Sequence, residues 1–380
     1  VLKVDGVQGA AGVLKALPDT MPINIAFNSC WDDLRRITML RVIPDLYHID
    51  AFYMLGDIIY SEHSPNSRWG ETVDTASNDP SKANFYARHR QTLRHPDMAY
   101  LMHSCPFYFQ ADDHEWPGGN WDHTASHWPG FTQAQVDAQD ILQDEVNSYL
   151  YKVNPPNNDP GIDNGAAYFR HTIGSAEIFM LEEIRYRTPV YDSDYSPTGT
   201  GDYDTRRSKL GAKQLAWLKD RLSASTATFK IIMSPKVTYM NDPRTDMWQR
   251  YAYERDQLLT WIDSNVTGVL WCAGDRHYSD VHAWYKSRGH TFDHACVLAG
   301  AGGQNANHTP GAAWENNLVW KEFDTPLGYG ENISGIITIY PYHLDIRLVD
   351  EFRRVRWKGR LNAGENTLSY ADTHVGGLGL

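Results

Sequence analysis

The chain has 380 residues, 42% of them hydrophobic and 22% charged, with a formal net charge of −12, values that suit a folded protein with a large core. The acidic balance excludes a general binder of the nucleic-acid backbone, which would be basic. No apolar run reaches the ~18 residues of a membrane span, and four cysteines are too few for a disulfide framework.

In chain order, residues 1–20 form a lead-in with Gly6, Gly9 and Gly12. Ile23-Asn24-Ile25-Ala26-Phe27 reads as the first strand and runs into Asn28-Ser29-Cys30-Trp31-Asp32-Asp33. Asp32 and Asp33 open a helix by capping or by matching its dipole, and Pro44 breaks that helix. Phe52-Tyr53-Met54-Leu55 is a second apolar strand that turns at Gly56-Asp57, with Tyr60 three residues on. This β-α-β unit puts Cys30 and Asp57 at one sheet edge.

Residues 61–80 are a polar loop, and a helical stretch follows from Ala83 to Met102. Pro106-Phe107-Tyr108-Phe109-Gln110-Ala111 is a third strand, ending in Asp112-Asp113-His114-Glu115. A loop rich in Trp, Gly and His covers 116–130, a helix spans about Thr132 to Tyr149, and 153–165 is a Pro- and Asn-rich loop. Ala167–Arg170 and Ala176–Leu181 read as paired strands, the second ending in Glu182-Glu183-Ile184-Arg185-Tyr186-Arg187. A helix from Leu210 to Leu222, a strand from Phe229 to Pro235 and a helix from Tyr253 to Ser264 come next. The strand Val269–Ala273 ends in Gly274-Asp275-Arg276-His277. Three further strands are Cys296–Ala299, Ile336–Tyr340 and Leu344–Leu348, the last two antiparallel.

Metal-ligating residue types recur at strand ends: Cys30, Asp57 with Tyr60, Asp113 with His114, and Asp275 with His277. A single acid there usually caps the next helix. Four such ends, each after an apolar run, call instead for carboxylates gathered around cations. A bridging carboxylate holds two metal ions ~3.5–4 Å apart, the spacing used for hydrolysis at phosphorus, and Asp57 is best placed as the bridge. A Tyr60 phenolate and a Cys30 thiolate favour a trivalent, strongly Lewis-acidic ion, iron first. A plain buried tyrosine and a core thiol are the alternatives. His277 suits a transition metal, whereas Asp113 and Asp275 offer oxygen for Ca²⁺, Mg²⁺ or Zn²⁺.

Gly56-Asp57-x-x-Tyr60, Asp112-Asp113-His114-Glu115 and Gly274-Asp275-x-His277 resemble the motifs of calcineurin-like metallophosphoesterases, and the Tyr60 variant resembles the purple acid phosphatases. The sequence is more similar to the PhoD-like (alkaline phosphatase D) family. Ser29-Cys30 after the first strand, Asn120, Arg94-His95-Pro96-Asp97 and Leu210-Gly211-x-x-Gln214-x-x-Trp217-Leu218 extend that resemblance from about residue 23 to 350.

The resemblance implies an α/β fold, a four-layer α/β/β/α sandwich, with one catalytic domain over residues 1–380 and without the family's N-terminal β-sandwich. It implies a dinuclear or larger metal site. Cys30, Asp57, Tyr60 and His277 would hold a ferric ion. Asp57, Asp113, Asn120 and Asp275 would serve one or more divalent ions, Ca²⁺ first, with Zn²⁺ or Mg²⁺ as alternatives. A metal-bound hydroxide would attack phosphorus in line beside Asp57, His114 would donate a proton to the leaving oxygen or hydrogen-bond the phosphoryl group, and Arg187 would bind phosphate.

Glu182-x-Ile184-x-x-Arg187 departs from the family's Asp-x-Arg-x-x-Arg, which alters the phosphate end of the site. Met233-Ser234-Pro235-Lys236-Val237 offers no histidine where purple acid phosphatases have one, which fits an oxygen-rich second position. The implied activity is hydrolysis of phosphomonoesters, phosphodiesters or both. A phospholipase D-like diesterase acting on lipid or nucleoside esters is the alternative, and a carbohydrate-binding protein using the Trp-rich loops comes third. The expected partner is a small-molecule or lipid phosphoester, with no stable nucleic-acid binding. The start at Val1 and the resemblance fit a secreted or periplasmic location, the cytoplasm being the alternative.

Overall fold

Alternating side chains explain the layers. In the strand Ile23–Asn28, Ile23, Ile25 and Phe27 face one way into a core shared with a second sheet, while Ala26 faces helices on the other side. The same split recurs in Ala51–Leu55, where Tyr53 and Leu55 join the first core and Phe52 and Met54 the second. The computed structural model describes residues 3–4, 7–8, 17–18, 20–31, 38–59, 89–90, 92–115, 154–162, 166–188, 204–238, 247–300, 318–321 and 332–370. Tyr60, Asn120, Asp32 and Asp33, the long polar loops and the helix expected over 132–149 lie outside the described residues.

The described strands are β1 (Lys3–Val4), β2 (Val7–Gln8), β3 (Ile23–Asn28), β4 (Ala51–Leu55), β5 (Phe107–Gln110), β6 (Phe169–Ile173), β7 (Ala176–Met180), β8 (Phe229–Ser234), β9 (Val269–Ala273), β10 (Asp280–Trp284), β11 (His294–Leu298), β12 (Leu318–Lys321), β13 (Ile333–Ile339), β14 (His343–Asp350), β15 (Val355–Asn362) and β16 (Leu368–Ser369). Helices among the described residues include α1 (Thr38–Tyr47), α2 (Pro96–Ser104), α3 (Gly211–Ala224) and α4 (Ala252–Asn265). One seven-stranded sheet has the order β16-β15-β14-β13-β3-β4-β5 and the other β12-β10-β11-β9-β8-β7-β6.

The two sheets face each other across a core that includes Phe27, Tyr53, Ile231, Leu270 and Ile337. Leu40 and Ile43 of α1 and Met98 and Leu101 of α2 cover the outer face of the first sheet. Trp217, Leu218 and Leu222 of α3 and Leu258, Leu259 and Ile262 of α4 cover the second. The result is the expected four-layer α/β/β/α sandwich. Each large side chain buried this way contributes about 1.5–3 kcal/mol relative to leaving it in water. Among the described residues, no helix is long and apolar enough to cross a membrane, and all four cysteines are buried and unbridged.

The strands that matter for chemistry are parallel within each sheet: β3, β4 and β5 in one, and β7, β8, β9 and β11 in the other. Their C-terminal ends therefore lie along one edge of each sheet, where open α/β folds bind ligands.

Two sequence expectations need correction. α1 does not stop at Pro44 but runs through it to Tyr47. The helical stretch from Ala83 to Met102 is divided at His95, because Pro96 cannot donate a backbone hydrogen bond and starts a new helix. His95 caps that helix, its Nδ1 accepting the Asp97 N–H at 3.2 Å.

Candidate metal centre

Two glycines bring the strand ends into contact. Gly56 follows β4 with φ +89°, and a Cβ there would lie 2.3 Å from Asp112 Cβ, so only glycine lets the ends of β4 and β5 approach. Gly274 follows β9, and a Cβ there would lie 2.7 Å from both the Leu55 carbonyl oxygen and Ser29 Cβ. These close approaches draw the two sheet edges together. Ser29 Oγ then accepts the Asp275 N–H at 3.1 Å across the junction.

The backbone is strained where the ligand candidates sit. Among the described residues five non-glycine residues have positive φ, and three of them are Cys30 (61°), Asp57 (55°) and Asp275 (72°). Left-handed backbone costs an ordinary residue about 1–2 kcal/mol and collects at functional sites. Its consequence here is that each side chain leaves its strand end sharply. The Cys30 N–H donates to the Gly56 carbonyl at 3.2 Å and the Trp31 N–H to the Asp57 carbonyl at 2.7 Å, which locks the two turns together.

The side chains converge in three overlapping groups whose ligand atoms lie within 4.8 Å of one another: Cys30, Asp57 and His277; Asp57, Asp113 and His114; and Asp57, Asp112, Asp113 and Asp275. Asp57 belongs to all three, as a bridging carboxylate must. The first group, with sulfur and imidazole, suits a transition metal, and the last, all oxygen, suits a hard cation. The structure thus assembles Cys30, Asp57, Asp113, His114, Asp275 and His277 from the sequence-derived set. Tyr60 and Asn120 are not among the described residues.

The electrostatics call for positive charge. Burial, with the anionic Asp113 and Asp275 beside it, pushes Asp57 up to about 7 against the pull of His114 and Lys236. Burial raises Asp112 well above the carboxylate range, and it raises the Cys30 thiol, which also faces Asp57 and Asp275. Asp112 Oδ2 accepts no hydrogen bond among the described residues. A multivalent cation reverses these shifts and deprotonates a coordinating thiol, so the donor set fits a metal.

Three participants escape the sequence reading. Asp112 joins the acidic group beside its neighbour Asp113. Glu115 is fully buried and accepts backbone N–H groups from Asp57, Ile58, Ile59 and Asp112. Lys236, fully buried, hydrogen-bonds Asp113 and Asp275, and its Nζ lies 3.0 Å from Asp112 Oδ1. The first two were legible in the run Asp112-Asp113-His114-Glu115. Lys236 stands just after β8, where the resemblance to purple acid phosphatases points to a histidine and not to a cation.

At the phosphate end, Arg187 follows β7 and is buried, and its Nη1 and Nη2 have no hydrogen-bond partner among the described residues. Glu182 caps the preceding turn, its carboxylate accepting the Ile184 N–H at 3.0 Å and the Arg185 N–H at 2.9 Å. Ile184 is fully buried, so an arginine is replaced there by apolar packing.

The profile of the PhoD-like phosphatases matches residues 29–322, from the Ser29-Cys30 turn past the last ligand candidate. The chain belongs to the PhoD-like phosphatase family. It is a phosphoesterase of a family of metalloenzymes, and its cluster of Asp, His and Cys could hold metal ions. A solved structure titled "Structure of PhoD" overlays with TM-score 0.70 at 18% identity, covering 96% of this chain and 74% of that one, which shows a shared fold. A Streptococcus pneumoniae TIGR4 structure described as a predicted phosphoesterase reaches TM-score 0.29 at 8% identity over 90% of this chain and 99% of its own, too low to bear on the fold. A search of curated proteins found no match.

Proposed function

We propose that this PhoD-like phosphatase is a metal-dependent hydrolase of phosphomonoesters, phosphodiesters or both, built on a ferric ion held by Cys30, Asp57 and His277, with Tyr60 added by the family motif. The observation that carries this reading is the presence of Asp57 in all three ligand groups. The oxygen-rich group of Asp57, Asp112, Asp113 and Asp275 needs positive charge of its own, from a divalent ion such as Ca²⁺ or from Lys236, which lies among them. When bound, metal ions supply Lewis acidity and an ionised water nucleophile at neutral pH.

The chain's own residues do the rest. Glu115 fixes the turn that aims Asp57. His114 is the more exposed member of its group, at 18%, with Nε2 3.8 Å from Asp113 Oδ2. From there it gives a proton to the leaving oxygen or hydrogen-bonds the phosphoryl group. The buried guanidinium of Arg187 offers a planar fork to phosphoryl oxygens.

Elemental analysis of the purified protein, joined to a panel of phosphomonoester, phosphodiester and phospholipid substrates, tests the reading. Retained iron and hydrolysis of at least one ester are expected, together with the visible charge-transfer band of a Tyr60–ferric pair. A metal-loaded protein inert to the whole panel would overturn it. A colourless, iron-free but active enzyme would remove both the ferric ion and Tyr60 from the centre.

A further inference from the structure

Three carboxylates of the oxygen-rich group converge on one ammonium. Lys236 leaves the second sheet just after β8, past Pro235, and its side chain is fully buried. Its Nζ lies 3.0 Å from Asp112 Oδ1 and hydrogen-bonds Asp113 Oδ1 and Asp275 Oδ1. An ammonium has donors and no acceptor; two of the carboxylates, Asp113 and Asp275, take hydrogen bonds from it, and Asp112 pairs with it by charge. All three acids are buried along with the lysine. Of the group Asp57, Asp112, Asp113 and Asp275, Asp57 is the member left to the sulfur- and imidazole-bearing set.

The lysine is seated from behind as well. Its carbonyl oxygen lies 2.6 Å from Ser234 Oγ, which also bonds Glu183. Glu183 in turn faces the buried Lys209, with Oε2 3.8 Å from Nζ. The backbone that carries the ammonium is therefore held by the end of β8 and by a second buried ion pair. A divalent ion on the same oxygens would stand within contact distance of a fixed positive charge. Repulsion between such charges is strong where water is excluded.

We propose that Lys236 is the built-in cation of this centre. It takes the place of a divalent ion on Asp112, Asp113 and Asp275, so the loaded enzyme holds a single transition-metal ion on Cys30, Asp57 and His277 beside a fixed ammonium. This rests on the metal-centre reading above and deepens it.

Counting ions per chain tests the proposal without reference to activity. The wild-type protein, Lys236→Ala and Lys236→Gln are saturated with ferric iron and Ca²⁺, freed of loose ions, and examined by native mass spectrometry and elemental analysis. The expected result is a single tightly held transition-metal ion in the wild type, and that ion plus a divalent ion in the variants. A wild type that carries a transition metal and Ca²⁺ together would overturn the proposal. So would folded variants that hold no more ions than the wild type. If neither variant folds, the wild-type count alone decides. Absence of any ion from the wild type would sink the metal-centre reading itself, and the inference with it.

Discussion

Glu115 holds the backbone of Asp57: its Oε2 accepts the Asp57 N–H at 2.9 Å. Its Oε1 takes the N–H groups of Ile58 and Ile59 at 2.5 and 3.1 Å, and Oε2 also takes that of Asp112 at 2.6 Å. One carboxylate thus fixes both turns that carry the acidic ligands. Leaving buried N–H groups without an acceptor costs about 1–3 kcal/mol each. Glu115→Ala should lose at least about 4 kcal/mol of stability, and a lost supporting contact should weaken metal binding about 10–100-fold. Glu115→Gln, which keeps one acceptor oxygen, should fall between. Urea unfolding and metal titration check this; unchanged metal affinity in Glu115→Ala would contradict it.

Gly56→Ala should be much worse than Gly161→Ala. Both glycines have positive φ, +89° and +82°, so both substitutions pay the left-handed penalty of about 1–2 kcal/mol. At Gly161 the added Cβ meets nothing within 4 Å, whereas at Gly56 it overlaps Asp112. Overpacking adds about 1–3 kcal/mol and pushes apart the acidic ligands. Thermal unfolding and metal content of the two variants measure the difference, and equal losses would contradict the close approach of β4 and β5.

Two buried histidines should make the protein acid-sensitive. Burial pushes His171 down to about 4 and His294 down to about 3. His171 Nε2 lies 3.1 Å from Tyr53 Oη, and His294 Nε2 lies 3.0 Å from Thr238 Oγ1. Both folded-state values lie below the unfolded value of about 6.5. Their stabilising contribution is therefore complete above that pH and is lost as pH falls toward 4 and 3, because the unfolded chain takes up protons that the folded chain refuses. Each costs up to about 1.4 kcal/mol per pH unit in that window. His294→Asn should flatten the fall in urea midpoint between pH 6.5 and 5 relative to wild type. Parallel curves would refute the assignment.

Metal removal should expose the opposite pH trend. In the metal-free chain Asp57 and Glu115 are pushed up to about 7 and about 8 by burial. Values above the unfolded carboxylate range mean stability that is complete below about pH 4 and lost as pH rises through 7 and 8. A cation pairs with the ionised forms and removes that loss. The rise in Tm on metal addition should therefore be larger at pH 8 than at pH 5.5. A rise that shrinks with pH would show that ligand ionisation is not what the metal compensates.

Much of this was legible in the chain. The strand Val269–Ala273 is found where its apolar run predicts it, and the helix expected over Tyr253–Ser264 is Ala252–Asn265. β10 was missed because Asp280 and His282 interrupt its apolar pattern. They pair with each other at 3.1 Å on one face while Val281 and Ala283 fill the core on the other. β15 was missed because Arg356, Lys358 and Arg360 mask an alternation in which only Trp357 and Leu361 are buried. At the site, strand-end acids announced themselves in sequence. Lys236 did not, because a lysine after a strand is usually solvated and only the folded arrangement shows three carboxylates around it. The departure at Ile184 is visible in the sequence, but its full burial beside the Glu182-capped turn is not.

The central claim is that Asp57 joins the ligand groups into one hydrolytic metal centre. Its most direct test measures bound metal and phosphoester hydrolysis together in the wild type and in Asp57→Asn, which removes one carboxylate oxygen and the charge with little change of shape. The account predicts that the variant folds, loses its transition metal and loses turnover to background. Full metal content with wild-type hydrolysis in Asp57→Asn would contradict it.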